Sequence, residues 1–400
     1  MIRVLDEHDL SPIPKGGWET NVAVAFDDVF VTGNWFAAYS SNGGASWAAV
    51  SPYDMQKGIA GGFCCDQRIL FIPQIYRFVW VLLSADADGE NEITIAVSEP
   101  ARLQGSKGRG WVRYHIRPGT VRQESQSFDY PDIAFGDSYL YLTANIGGQG
   151  LIARLPLGEL ARATTVNMQY YVVPQTWICP VQSTGAKGFF GAHTGTSTMR
   201  VWSWAEPPAA HITTSDLSIA TIRTDDWLVN LPSGEQWFAP AQSPDNEVTG
   251  AARVRNELWF AWMEARRVPD HPEARAYPYP HINTAVVSAT SLTLLRQERI
   301  WSSRRAYGWP ALTANDRDVA ITCMYGGEDV GGELCVGFLT EPRDLQLVSS
   351  GNRGGAGWHY IGVRPAYFST TAFAALGYNR RIDPPTENIS RPRYAVFERQ

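Results

Sequence analysis

The sequence predicts an all-β fold: a seven-bladed β-propeller of four-stranded antiparallel blades, its ring closed by the N-terminal strand. Three observations predict it. A hairpin-like stretch recurs seven times at intervals of about 45 to 65 residues, the spacing of supersecondary units that cannot bury their apolar faces alone. Short alternating strand patterns follow each hairpin, giving four strands per repeat. The 36 Gly and 25 Pro are spread along the 400 residues and sit at strand boundaries, so no linker divides the chain and residues 1–400 read as one domain.

The clearest copy is Asp129 to Asn145. Ile133 and Phe135 alternate into the turn Gly136-Asp137-Ser138, and the apolar run Tyr139 to Leu142 returns. Glu19 to Thr32, Asp66 to Leu83, Gln182 to His193, Gly250 to Trp262, Trp309 to Thr322 and Trp358 to Tyr378 repeat the plan. Third strands follow at Ile93 to Val97, Leu151 to Arg154, Met199 to Trp204, Ile282 to Val287, Leu334 to Leu339 and Arg393 to Phe397, and Trp111 to Ile116 supplies a fourth. The last repeat has no fourth strand of its own. Ile2 to Leu5 is an orphan β-like run and is expected to supply it, removing the open edge. The only helix expected is Leu157 to Ala163, and Asp270 to Pro280 reads as a proline-bound loop.

Composition narrows the function. A net charge of −6 without a run of like charges gives no footprint for a nucleic-acid partner. No run of 18 apolar residues is present, so a soluble chain without a membrane partner is expected, secreted if a leader preceded it. A monomer or weak homodimer is the expected state. Five cysteines lack metal spacing. Cys323 and Cys335 are expected as buried free thiols, and the adjacent Cys64 and Cys65 as reduced.

Ser40-Ser41-Asn42-Gly43-Gly44-Ala45-Ser46-Trp47 resembles the Asp-box of sialidases and other bacterial-neuraminidase-repeat propellers, with Asn42 where the family has Asp and Ser46 where it has Thr. The residues themselves describe a turn: an Asx side chain bonds local backbone, glycine takes positive φ, and the aromatic ring plugs the blade. The resemblance implies a sialidase-like propeller and a glycan ligand. The family's Arg-Ile-Pro motif is missing; Arg68, Arg253 and Arg364 fall near hairpin starts where three guanidiniums would meet one carboxylate.

In a propeller, residues just before each innermost strand or just after the second strand reach the mouth of the central channel. That rule selects Glu19, Asp66, Gln67, Tyr130, Asn145, Cys179, His193, Glu264, Trp309, Tyr325, Tyr360 and Asn379. Carboxylates, amides and aromatic faces together suit a sugar or another small ligand, because C–H faces stack while hydroxyls bond the polar rim. Hydrolysis of a glycosidic bond would use two of Asp66, Glu19 and Glu264. Elimination on a uronate would pair His193 with Tyr130 or Tyr325, with Arg68 or Arg364 neutralising the carboxylate.

Each candidate has a plainer reading. Asp66 fits a turn acid behind Cys64-Cys65, His193 a loop histidine, and His281, in its proline loop, a surface side chain. His359 is a further candidate. A non-catalytic glycan- or protein-binding propeller, or an enzyme of specialised metabolism acting on a small molecule, would use the same mouth. No cofactor is implied, although the channel leaves room for a calcium or zinc ion. HExxH, P-loop, GxSxG and Rossmann patterns are missing.

Overall fold

The computed structural model describes residues 1–10, 19–232, 234, 236–237, 247–267, 277–348, 361–383 and 387–400. It is a seven-bladed β-propeller: seven four-stranded antiparallel sheets, six built from consecutive strands. The innermost strands are Asn21–Ala25, Phe63–Ile72, Phe128–Phe135, Cys179–Pro180, Val248–Val254, Ala306–Ala314 and Gly362–Pro365. In the seventh sheet Ile2–Asp9 is the outer strand, paired with Glu387–Arg399 from Ile2 opposite Arg399 to Asp9 opposite Arg393. The expected closure is therefore made, over a longer strand than Ile2 to Leu5.

Period-two patterning explains the ring. In blade two, Leu70, Ile72, Val79 and Val81 face blade three, whereas Ile69, Phe71, Phe78, Trp80 and Leu82 face blade one. Most blades are apolar on both faces, so their inner strands read as nearly continuous buried runs, whereas outer strands such as Ile212–Ser218 are largely exposed. The buried side chains gather into seven seams, one between each pair of neighbouring blades. No seam belongs to a single repeat, which makes the blades interdependent.

The turn Ser40–Trp47 joins the third and fourth strands of blade one, Phe36–Ser40 and Ala48–Val50. Asn42 Oδ1 accepts from the Ser46 backbone N–H at 2.9 Å, and Ser40 Oγ accepts from Gly44 N–H at 2.9 Å. Gly43 and Gly44 take φ of 69° and 99°, and Trp47 packs edge-on against Tyr394 of blade seven at 5.8 Å. The Ser40, Asn42 and Ser46 side chains are engaged within the turn.

Three expectations change. Short helices form at Pro52–Met55 and Pro100–Ser106 besides Leu157–Arg162; both begin with proline, which suits a first helical turn whose N–H groups have no partner. Cys64 and Cys65 are joined in a disulfide with Cα atoms 3.7 Å apart, where the strand is bulged on both sides of Cys65. The blade-four hairpin expected from Gln182 instead has Cys179–Pro180 as its inner strand. Cys323 and Cys335 are register partners and remain free, buried thiols. No helix among the described residues is long and apolar enough to cross a membrane.

If ring closure holds the seams, deleting residues 1–10 leaves Glu387–Arg399 as an unpaired edge and opens the seam between blades seven and one. Circular dichroism melting is expected to show a midpoint at least about 5 °C lower, with light scattering rising as the edge self-associates. A cooperative melt at the parental temperature would refute the closure argument.

Candidate functional site at the channel mouth

The site is built by an irregularity in the innermost strands. Asp66, Tyr130 and Trp309 sit at bulges where the inner strands of blades two, three and six enter the ring, and Glu19 lies just ahead of the blade-one strand. All four adopt left-handed backbone, with φ of 42°, 51°, 49° and 55° respectively. A non-glycine residue pays roughly 1–2 kcal/mol for that conformation, so the surroundings must impose it. Part of the restraint is visible: the Asp66 N–H donates to Asn34 Oδ1 at 3.0 Å, and the Tyr130 N–H donates to Asp66 Oδ2 at 3.2 Å.

These kinks bring together carboxyl groups from three consecutive blades. Glu19 and Asp66 are both buried and hydrogen-bonded through their side chains, and Asp129 acts on both through space. Burial, and then Asp66, push the Glu19 carboxyl well above the usual range, with Arg68 opposing. Asp129, exposed at the rim, is raised by partial enclosure and by Asp66, while Asn145 Nδ2 donates to its Oδ2 at 3.4 Å. Asn145 also accepts from the Trp177 N–H at 2.8 Å, and Trp177 meets Tyr130 with ring centroids 4.8 Å apart. The result is a cluster of acids beside the packed pair Tyr130 and Trp177.

Arg68 forms the floor. Its Nε donates to Asp132 Oδ1 at 3.2 Å, and its guanidinium stands 5.6 Å from the Tyr130 ring centre. Below it, Arg68, Asp132, Cys179 and Arg364 line the same small recess of the channel. Burial pushes the Tyr130 phenol and the Cys179 thiol upward, so both stay protonated.

The other candidates lie elsewhere. Glu264 is sealed at 1% exposure in blade five, accepting from Asn283 Nδ2 at 2.6 Å with His281 Nε2 at 3.7 Å. His281 is fully buried and stacked on Tyr277 at 4.6 Å, against its expected surface position. Burial first, then Arg299, push it down to about 4 and keep it neutral. His193 stands edge-on to Trp262 at 4.8 Å, and Tyr325 is held by Arg305 in blade six. Trp309 packs against Trp237 in the seam with blade seven.

Two expected ligand contacts are structural. Gln67 is a clasp: its Nε2 donates to the Phe36 carbonyl of blade one at 3.1 Å, and its Oε1 accepts from Trp80 Nε1 at 2.9 Å. Arg253 misses the mouth because its strand begins at Val248; it pairs with Leu258 beside the turn at the far end and donates to the Thr184 and Arg255 carbonyls. Tyr360 and His359 lie outside the described residues, as does the Asn379 side chain. Among the described residues no group of three or more His, Cys, Asp or Glu is arranged to hold a metal ion.

Asp129, Asp132, Asn34 and Trp177 were not among the candidates. The first two were discernible as the acids of Asp129-Tyr130-Pro131-Asp132, one on each side of a strand entry. Asn34 and Trp177 carry no local signal. A larger recess, of about 770 Å³, opens at the opposite end among the hairpin turns. In its lining Asn315 Oδ1 accepts from the Arg317 and Asp318 N–H groups at 2.9 and 2.8 Å.

No protein-family model matches the chain, and no curated protein matches it. Solved structures similar to it include the Fusarium graminearum α-L-arabinofuranosidase Arb93A, in complex with an iminosugar inhibitor, at 12% identity over 95% of this chain and 93% of that one, TM-score 0.45. The Dos1 propeller is similar at 7% identity over 99% and 95%, TM-score 0.48. A subtype N10 neuraminidase-like protein of A/little yellow-shouldered bat/Guatemala is similar at 9% identity over 86% and 97%, TM-score 0.41. These likenesses are of fold, and the chemistry of the site rests on this chain's own residues.

Because Glu19 is raised in the folded chain, the stability it contributes is complete below its unfolded value near 4.3 and is lost as pH rises towards the folded value. Glu19→Gln, which keeps the shape without the charge, is expected to match the parent at about pH 4 and to melt progressively higher than it as pH increases above that value. A melting difference that stays flat with pH would contradict a proton held on Glu19.

Proposed function

We propose that this propeller is a glycoside hydrolase acting at the channel mouth, with Glu19 as general acid. The observation that carries the proposal is the convergence of Glu19, Asp66 and Asp129 on one rim, with the most enclosed of the three raised well above the carboxylate range. A proton retained on Glu19 at working pH is available to the leaving glycosidic oxygen, and Asp66 holds that proton in place through their hydrogen bond. Asp129, on the open side of Asp66, is the group that activates water. Trp177, half-buried and packed on Tyr130, provides the aromatic surface for a C–H face of the sugar.

Elimination has less support. It needs His193 beside a tyrosine, whereas His193 leans on Trp262 and Tyr325 is engaged by Arg305. Glu264 has no part in the reaction, since it is closed off with Asn283 and His281.

The test is a panel of neutral and acidic oligosaccharides, following both new reducing ends and unsaturated uronates. Reducing ends without unsaturation are expected, with Glu19→Gln and Asp66→Asn each lowering kcat by about 10²- to 10⁴-fold while Glu264→Gln leaves it within about threefold. Unsaturated products would replace hydrolysis by elimination. Tight binding of one glycan without turnover would make the chain a binding module.

A further inference from the structure

The one disulfide among the described residues stands next in sequence to the acid cluster. Cys64 and Cys65 are joined, half-buried, immediately ahead of Asp66. Phe63, Cys65 and Gln67 pair with Ser84, Leu83 and Leu82, which leaves Cys64 and Asp66 as the extra residues of a doubly bulged stretch. In a regular strand neighbouring side chains point to opposite faces, so adjacent cysteines joined through sulfur cannot both keep that alternation. The bond therefore ties down the irregularity that aims Asp66.

Asp66 in turn links three blades at the rim. Its N–H donates to Asn34 Oδ1 at 3.0 Å, its Oδ2 accepts from the Tyr130 N–H at 3.2 Å, and its side chain is hydrogen-bonded to Glu19. The remaining cysteines, Cys179, Cys323 and Cys335, are buried. A thiol in solution thus reaches the pair beside Asp66 and none of the other cysteines.

We propose that Cys64 and Cys65 are a redox-active positioning pair: oxidised, they fix the bulge that presents Asp66 to Glu19 and Tyr130; reduced, they release it. The reductant is a dithiol. Its first thiolate attacks a cysteine sulfur and forms a mixed disulfide, and its second displaces that sulfur. The Cys64–Cys65 bond breaks, the reductant's own disulfide forms, and an electron pair with its protons passes to the cysteines. The proposal concerns where the acids stand and holds whichever reaction they perform.

Amide hydrogen exchange of the full chain, purified without reductant, tests this in the absence of any substrate. Iodoacetamide should leave the folded chain unlabelled and, after dithiothreitol, should label Cys64 and Cys65 alone. That reduction should speed exchange of the Asp66 and Tyr130 amides by about tenfold or more, while the amides of Ile93–Ser98, in the same blade as Asp66, keep their rates. Reoxidation should restore protection, and Cys64→Ser combined with Cys65→Ser should show the reduced rates without reductant. Labelling of either cysteine before reduction, or a pair that dithiothreitol cannot open in the folded chain, would overturn the proposal. So would unchanged exchange at Asp66 and Tyr130 once both thiols are free, or a loss of protection that spreads through Ile93–Ser98. These outcomes are read on the unaltered chain and stand even if the double variant fails to fold.

Discussion

Much of the site depends on a constraint at the ring's entrance: inner strands of neighbouring blades must begin close to one axis without their first side chains colliding. The chain meets it by breaking the ladder. Bulges at Asp66, Tyr130 and Trp309, and the left-handed Glu19 ahead of Asn21, rotate the entering residue out of the strand's alternation. Each such residue costs about 1–2 kcal/mol in isolation, and the seams on both faces of every blade hold it there. Strain and site therefore share an origin.

Glu19 and Glu264 show how similar residues reach different ends. Glu264, with Asn283, His281 and Arg299 around it, is closed over and serves packing in blade five. Glu19 is as enclosed, but its neighbours Asp66 and Asp129 carry the cluster out to an exposed rim. A raised carboxyl becomes chemically useful only where a reacting atom can approach it, and that condition separates the two.

Much of the fold was legible because a blade buried on both faces writes itself as short apolar runs with turn residues between, and seven copies average out local ambiguity. The orphan run at Ile2 was readable by subtraction, since the last repeat lacked a strand. The site was legible only in part. Strand-entry position selected Glu19, Asp66 and Tyr130, which do meet, but selected Glu264 and Trp309 equally well, because depth below the surface depends on the packing of neighbouring loops. Arg253 failed for lying too far along its strand, and Gln67 because a mid-channel amide can clasp a neighbouring blade as readily as a ligand. The Cys64–Cys65 bond sits at a local bulge that spacing does not encode.

The central claim is a single proton kept on Glu19 by burial and by Asp66 at the mouth of the ring. Infrared difference titration tests it most directly, comparing the parent with Glu19→Gln. The account predicts a protonated-carboxyl C=O band that persists above the ordinary carboxylate range in the parent and is missing from the variant. If both proteins lose their carboxylic-acid bands together within the ordinary carboxylate range, Glu19 is an ordinary anion and the acid role assigned to it is wrong.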